Sequence, residues 1–246
     1  AHHAAINAAT RENIADQLAL HTSPDWFWRG MHPFHEQTGA QAVAQAFWAP
    51  LLGAMTRLQR RPDIFFAGHN AGDDAVWVGT MGHLMGLFDA PFLGIPPTGK
   101  IAMLRFGEFH KVVDGKIVET AQFCDLIHLM HQAGLQPLPP QTGAHLVQPG
   151  PATHDGLLYD DAPAADGIAT LDLIERMIGT IARNSNTGAG STPAAATPQE
   201  ELAQDWHDDM IWWGPDGIGA WQAMFLRGIA TTLIFQMRVK ADCCTR

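Results

Sequence analysis

The sequence predicts an α+β fold in which helices come first and a run of antiparallel strands follows. Three observations support this class. Apolar residues recur at helical spacing before residue 60, and apolar and polar residues then alternate between residues 62 and 125. The dipeptide Asp114-Gly115 stands between two alternating stretches and favours a type I′ hairpin turn, which needs a positive φ at both central positions. Helices followed by strands are typical of α+β domains.

The individual elements follow from local patterns. Ile14 and Leu18 share one face of the first helix, and Pro50 is expected to kink or split the second because it lacks an amide hydrogen. Proline and glycine mark the segment after the second strand as a loop. The predicted order is a helix over residues 8–21, an aromatic segment over 25–30, a helix over 39–60, strands over 62–68 and 75–87, a loop over 89–100, the hairpin over 105–125 and a helix over 126–132.

The C-terminal part has a different character. Residues 141–166 are expected to form a linker or an arm along the first unit, and residues 168–181 an amphipathic helix. Residues 184–197 are of low complexity, which favours a flexible stretch. The sequence frame Asp-x-x-Trp-x-Gly at residues 25–30 recurs at residues 209–214. We therefore predict a mostly helical, irregular segment and, over 167–246, a partial second unit that is truncated, degenerate or completed by another chain.

Composition excludes several classes of protein. Charged residues make up 16% of the chain and the net charge is −10, with scattered Lys and Arg, so no nucleic-acid partner is expected. No apolar run has the length of a membrane span, and no secretory signal is recognisable. Three cysteines without a framework favour a reducing compartment, the cytoplasm. His2 and His3 are assigned no role.

The hairpin combines charged and apolar side chains on one face. Counting outward from the turn, His110 is expected opposite Glu119, and alternate residues share a face. A carboxylate on an apolar wall is costly unless it is paired, hydrated or functional. The mixed face is predicted to carry Leu104, Phe106, Glu108, His110, Val112, Ile117, Glu119, Phe123 and Asp125.

Three motifs resemble those of the SnoaL-like polyketide cyclases, within the NTF2-like (ketosteroid-isomerase-like) superfamily. They are GHLMGLFDAPFLGIPPTGK at 82–100, EFHKVVDGKIVE at 108–119 and DLIHLMHQAG at 125–134. The resemblance covers roughly residues 8–140 and extends weakly to the frame at 209–219. It departs from the family at Pro96-Pro97, where Pro-Ala is usual, and in a longer loop over 88–97; both departures lie at the expected mouth of the pocket.

This resemblance implies a fold and a chemistry. The fold is an NTF2-like cone of curved antiparallel sheet packed on helices, here over residues 1–140. In the cyclases, a carboxylate on the last strand moves protons during an aldol ring closure, and by position in the motif that residue is Asp125. The alternative role for Asp125 is to cap the helix that follows it.

Three other residues are candidates for the catalytic site. Glu108 is a second carboxylate deeper on the mixed face, and His110 either relays protons or forms a surface ion pair with Glu119. His83 either donates to a substrate carbonyl or is a core histidine bonded to backbone. The expected pocket lining is apolar and consists of Trp26, Phe47, Phe106, Phe123 and Leu104.

No metal or cofactor is predicted, since the chain has no HExxH and no GxGxxG after a strand. It also has no GxSxG elbow, so a serine hydrolase is not expected. The first hypothesis is cofactor-independent aldol cyclisation or isomerisation of an apolar carbonyl compound. The alternatives are a non-catalytic ligand-binding or assembly module and an epoxide hydrolase, which usually needs an Asp/Arg/Asp set; Arg105 is predicted on the face opposite Asp125. The expected partners are a small apolar carbonyl ligand and a second copy in a homodimer, with no nucleic acid and no membrane.

Overall fold

The computed structural model describes residues 1–70, 72–73, 75–141, 150–151, 153–187, 205–207 and 210–222. The chain divides into two compact units, residues 1–139 with 147–159 and residues 140–146 with 160–246. The first unit contains α1 (His2–Ala8), α2 (Ile14–Ala19), β1 (Thr22–Gly30), β2 (Glu36–Thr38), α3 (Ala40–Val43), a π-helical turn (Ala44–Trp48), α4 (Ala49–Ala54), β3 (Met55–His69), β4 (Val76–Phe88), β5 (Lys100–Val113), β6 (Lys116–Cys124) and α5 (Leu126–Gln132).

A six-stranded sheet in the order β2-β1-β6-β5-β4-β3 forms one layer of the first unit, and the helices before it form the other. The α+β class is therefore confirmed. The sheet is mixed and not wholly antiparallel as expected, because β1 runs parallel to β6. Its inner face and the helices enclose one core. The largest fully buried side chains in it are those of Trp26, Trp28, Trp48, Phe47, Phe88, Phe92, Phe106, Ile14, Leu18, Leu51, Met55 and Leu84.

The second predicted helix ends earlier than its apolar spacing indicates. The backbone widens into a π-helical turn just before Pro50, and α4 ends at Ala54. Residues from Met55 onward pair with β4 as strand β3, so sheet pairing prevails over local helical spacing. Arg60 consequently lies on a strand of the sheet and not on a helix. The first predicted helix, over 8–21, is likewise replaced by α1 and α2.

A β-bulge changes the register of the β5–β6 hairpin. Val112 pairs with Ile117 as predicted, but the next pair is Lys111 with Glu119, which leaves Val118 as an extra residue on β6. Because side chains alternate between faces, one extra residue turns the rest of the strand over. The predicted pairing of His110 with Glu119 is therefore wrong. The residues of β6 that face the core after the bulge are Thr120, Gln122 and Cys124.

The turn of this hairpin provides a stability prediction. Gly115 has a φ of +72°, and no atom lies within 4 Å of the place where a Cβ would stand. Gly115→Ala is expected to lower the free energy of unfolding by about 1–2 kcal/mol through backbone strain alone. Gly107→Ala, also in open space but without a positive φ, should leave stability unchanged or raise it by up to ~1 kcal/mol. Urea unfolding measures both, and equal losses would contradict this account.

Residues 156 and 158 bond to the edge strand β3. Phe65 donates its amide to Gly156 O at 2.8 Å, and Leu158 donates its amide to Phe65 O at 2.8 Å. The ring of Tyr159 stacks near that of Phe65, with 5.1 Å between centroids. This part of the predicted linker or arm thus belongs to the first unit, and its backbone groups satisfy an otherwise open sheet edge.

The second unit contains α6 (Ala164–Thr187), β7 (Ile211–Trp213) and β8 (Ala220–Gln222). β7 pairs Trp212 with Trp221, and β1 pairs Trp28 with Gln37 at the same separation along the chain. The repeated sequence frame therefore forms the same kind of hairpin in both places, although its Asp209 lies outside the described residues. A partial second copy of the first unit remains a prediction. Among the helices of the described ranges, none is long and apolar enough to cross a membrane.

Candidate active site

A buried ion pair forms the centre of the site. Arg60 on β3 donates through Nη1 to Glu108 Oε2 at 2.6 Å and through Nη2 to Oε1 at 3.1 Å. Both side chains are only 2% exposed. The guanidinium also lies over the ring of Phe106, 4.4 Å from its centroid, and near that of Trp48 at 5.5 Å. This bidentate ion pair, with its guanidinium stacked on an aromatic ring, fixes the carboxylate in one orientation.

His110 stands beside the pair on the same strand. Its Nε2 lies 3.6 Å from Glu108 Oε2, and its Nδ1 lies 2.9 Å from the hydroxyl of Thr120. Trp26 donates its indole N–H to that hydroxyl at 3.0 Å. Among the described residues, Nε2 of His110 is buried and has no hydrogen-bond partner. The chain from Trp26 to His110 holds the ring and leaves one of its nitrogens available.

Helix α1 adds two more histidines. His3 Nε2 lies 3.6 Å from Glu108 Oε2, and the ring of His2 meets those of His110 and Trp26 edge-on, at centroid distances of 5.5 and 6.4 Å. No role was predicted for either residue from the sequence. The structure places both at the polar centre of the first unit.

The charges of this cluster follow from burial and pairing. Burial by itself would raise the pKa of Glu108, but the guanidinium of Arg60, with help from His110, outweighs it and holds that pKa well below its usual range. Burial lowers the pKa of His3 to about 3 and that of His2 to about 2. At neutral pH the cluster therefore contains one ionised pair and uncharged α1 histidines.

Four of the five predicted lining residues lie in the core around this cluster, namely Trp26, Phe47, Phe106 and Leu104. Phe123 does not: the bulge turns it outward, and it is 55% exposed. Its place on the inner face is taken by Gln122, which accepts from Trp28 Nε1 at 3.1 Å, and by Cys124, whose thiol pKa is raised by burial.

Asp125 occupies the start of α5. Its Oδ1 accepts from the amide of His128 at 3.0 Å, as an N-cap does. The register that placed Asp125 on the inner face, opposite Leu104, is wrong, because Phe106 pairs with Cys124 and β6 ends there. The catalytic role of Asp125 remains a prediction that rests on the motif, and its hydrogen bond to the amide of His128 is that of a helix cap.

His83 lies on the other face of the sheet from Glu108. In the β4–β5 ladder Thr80 pairs with Glu108 and His83 with Arg105, and alternate residues face opposite sides. The predicted grouping of His83 with Glu108 and His110 is therefore wrong. His83 Nδ1 instead lies 3.1 Å from Asp63 Oδ2. Burial lowers the pKa of His83, and it raises that of Asp63.

The cluster offers three ligand atoms to a metal, since donor atoms of His3, Glu108 and His110 lie within 4.8 Å of one another. Arg60, however, donates to both oxygens of the only carboxylate in this set. A divalent cation would give the buried site a large uncompensated positive charge, which is costly. The group is better suited to an oxygen atom that gains negative charge than to a metal ion.

Sequence reasoning missed Arg60, Thr120 and both α1 histidines. Arg60 was assigned to a helix, whereas strand β3, which begins at Met55, pairs it with Leu84 on β4. Thr120 was hidden by the bulge, for which the sequence carries no recognisable signal. For His2 and His3 no signal was available, since proximity to β5 is a property of the fold.

Comparisons with known proteins identify a family and several similar structures. A family model described as SnoaL-like polyketide cyclase matches residues 6–133. A candidate SnoaL-like polyketide cyclase from Jannaschia sp. CCS1 is 26% identical, with 50% of this chain and 80% of that chain covered and a TM-score of 0.40. An NTF2-like protein from Burkholderia thailandensis E264 is 25% identical, with 55% of this chain and 94% of that chain covered and a TM-score of 0.39. IdmH, a candidate polyketide cyclase from Streptomyces antibioticus, is 18% identical, with 54% of this chain and 95% of that chain covered and a TM-score of 0.42. The search of curated proteins returned no significant match.

Proposed function

The chain belongs to the SnoaL-like polyketide cyclase family, and we propose that it catalyses a cofactor-independent acid/base reaction, an aldol cyclisation or an isomerisation, on an apolar carbonyl compound. One observation carries the proposal. An oriented, ionised Glu108 and a histidine with an uncommitted nitrogen lie together inside a core of aromatic side chains. Polar groups that converge in an apolar interior support proton transfer next to a carbonyl.

Glu108 is the base in this mechanism. Its carboxylate takes a proton from the carbon beside the substrate carbonyl, and the electron pair moves onto the carbonyl oxygen as an enolate. Because Arg60 keeps the pKa of Glu108 low, Glu108 is a weak base. It therefore suits substrates whose hydrogen is already acidic, such as the carbon between two carbonyl groups. The enolate then attacks a second carbonyl, or takes its proton back at another carbon.

His110 holds the oxygen that gains charge. An indole N–H can only donate, so Trp26 occupies an acceptor site of the Thr120 hydroxyl, and the hydroxyl can donate its own hydrogen to Nδ1 of His110. The nearby carboxylate of Glu108 favours a proton on Nε2. In that tautomer Nε2–H is a fixed donor for the enolate oxygen, in a site where such donors lower the barrier most.

The test is exchange of acidic C–H hydrogens for deuterium, since both reactions begin with that proton transfer. Aromatic polyketide-like and steroid-like diketones in D2O, followed by NMR, should exchange faster with the protein than without it. Asp125→Asn should retain this exchange, whereas Glu108→Gln should lose it. Loss in Asp125→Asn alone would move the base to Asp125. Ligand binding without exchange would favour the non-catalytic module.

Epoxide hydrolysis is a second candidate, favoured by one observation. The interior holds a carboxylate–guanidinium pair, Glu108 with Arg60, whereas Arg105, on the other face, cannot supply it. Glu108 would activate a water molecule, and His110 would protonate the epoxide oxygen as it opens. Formation of a diol from an apolar epoxide, without exchange of ketone hydrogens, would establish this reaction in place of the first.

A further inference from the structure

His3 and His110 approach the same atom from two different elements. The Nε2 atom of each lies 3.6 Å from Glu108 Oε2. That distance is too long for a hydrogen bond, so neither ring is committed to the carboxylate. One ring is fixed on β5, and the other is brought in by α1. Two imidazole groups are thus directed at one point beside the base.

Helix α1 also separates the ion pair from solvent. The side chain of His3 is 23% exposed, whereas those of Glu108 and His110 are 2% and 6% exposed. Ile6, on the same short helix, is buried in the core at 4% exposure, and the ring of His2 lies against that of Trp26. A substrate that reaches Glu108 from this side must displace α1, and the helix can close again behind it.

We propose that His3 is a second donor to the substrate's oxyanion, acting with His110, and that closure of α1 completes the site. The inference rests on the proposed function and adds a catalytic residue to it. Each imidazole directs one nitrogen at this point, and two N–H donors together with the guanidinium of Arg60 can stabilise an enolate oxygen. The ligand class is an apolar ring system with an enolate or phenolate oxygen.

The charge state of α1 gives an independent consequence. The two histidines face each other and the α-amino group of Ala1. From other elements they are faced by Arg60 on β3, by Glu108 and His110 on β5, and by His21 after α2. Burial lowers the pKa of His2 and His3 from 6.5 to about 2 and 3 in the closed form. Groups with lowered pKa contribute closure stability above their open-state pKa, and this is lost as the pH falls below about 6.5. Closure should therefore weaken in acid.

The first measurement is binding of 2-naphthol, an apolar ring system with one hydroxyl group. Wild type should bind it with the hydroxyl oxygen at the two imidazole groups. His3→Ala should weaken binding about tenfold, and His3→Gln, which keeps an N–H donor, should restore most of it. His207→Ala, an exposed histidine of the second unit, is the control and should bind as wild type does. Equal binding by His3→Ala and wild type would overturn the inference.

The second measurement is hydrogen exchange of the α1 amides between pH 5 and pH 7.5, corrected for the intrinsic rate. Protection should fall below pH 6.5 in wild type and change less in a His2→Gln/His3→Gln variant; identical pH dependence in both would contradict closure by these rings. If His110→Gln weakens naphthol binding while His3→Ala does not, the proposed function stands and the role of His3 is wrong. If neither substitution weakens naphthol binding, the proposed function and the role of His3 are both wrong.

Discussion

Replacing Arg60 with Ala should lower the free energy of unfolding by about 3–5 kcal/mol, because it leaves the carboxylate of Glu108 buried without its partner. The loss includes the stacking of the guanidinium on Phe106 and Trp48. The free energy of unfolding of Arg60→Lys should lie between those of wild type and Arg60→Ala, since an ammonium group keeps the charge but cannot donate to both oxygens in the same plane. Chemical denaturation followed by tryptophan fluorescence measures each difference.

The sheet contains a matched control for this experiment. Arg29 pairs with Glu119 at 2.9 Å, but its side chain is 56% exposed, and exposed pairs contribute about 0–1 kcal/mol. Arg29→Ala should therefore change the free energy of unfolding by less than ~1 kcal/mol. An equal loss from both substitutions would show that burial does not set the strength of the Arg60 pair.

Acid should reproduce part of the Arg60 effect. The pKa of Glu108 is lower in the folded protein than its ordinary value of 4.5, so the stabilisation by its pair is fully present above pH 4.5. It is lost as the pH falls below that value toward the folded pKa. In an Arg60→Met/Glu108→Leu variant, which removes both charges, this part of the acid sensitivity should disappear, and the loss of stability at neutral pH should be much smaller than in Arg60→Ala.

Much of the fold could be predicted because its signals are local. The Asp114-Gly115 turn, strand β4 and helix α5 lie where the sequence placed them, within one residue at each end. Each depends on turn chemistry or on a short periodic pattern. The helix over 39–60 was wrong at its end because both helical spacing and strand pairing suit residues 55–60, and only the presence of β4 decides between them.

The site was predicted less well because it depends on relations between elements. Glu108 and His110 were placed correctly on the inner face, since β5 carries no bulge of its own. On β6, a single extra residue turned Phe123 outward and Thr120 inward, and one such shift reverses every later assignment on a strand. Arg60 and His3 come from β3 and α1, which are distant in sequence, so nothing in the hairpin could indicate that they meet at Glu108.

Replacing Glu108 with Gln should reduce the rate of enolisation by about 10²–10⁴-fold, the range expected when a positioned general base is removed. Gln keeps the shape of the side chain and one oxygen for Arg60, but it leaves the buried guanidinium without its counter-charge. The folded fraction of this variant is therefore measured together with its rate, so that loss of basicity is separated from loss of stability. The rate is that of deuterium exchange into a diketone, measured with the enzyme saturated and unsaturated. Glu119→Gln, on the neighbouring strand and at the surface, should exchange as wild type does.

The pH profile separates a base from a residue that only supports the fold. Because Arg60 holds the pKa of Glu108 well below its usual range, Glu108 stays ionised, and the rate should not decline through protonation of this group until the pH falls below about 4. Arg60→Lys should lower the pKa of Glu108 less strongly than Arg60 does, and the acidic limb of the profile should therefore move to higher pH. An unchanged limb in Arg60→Lys, or full exchange activity in Glu108→Gln, would remove Glu108 from the role of base and leave the buried pair as a purely structural feature of the sheet.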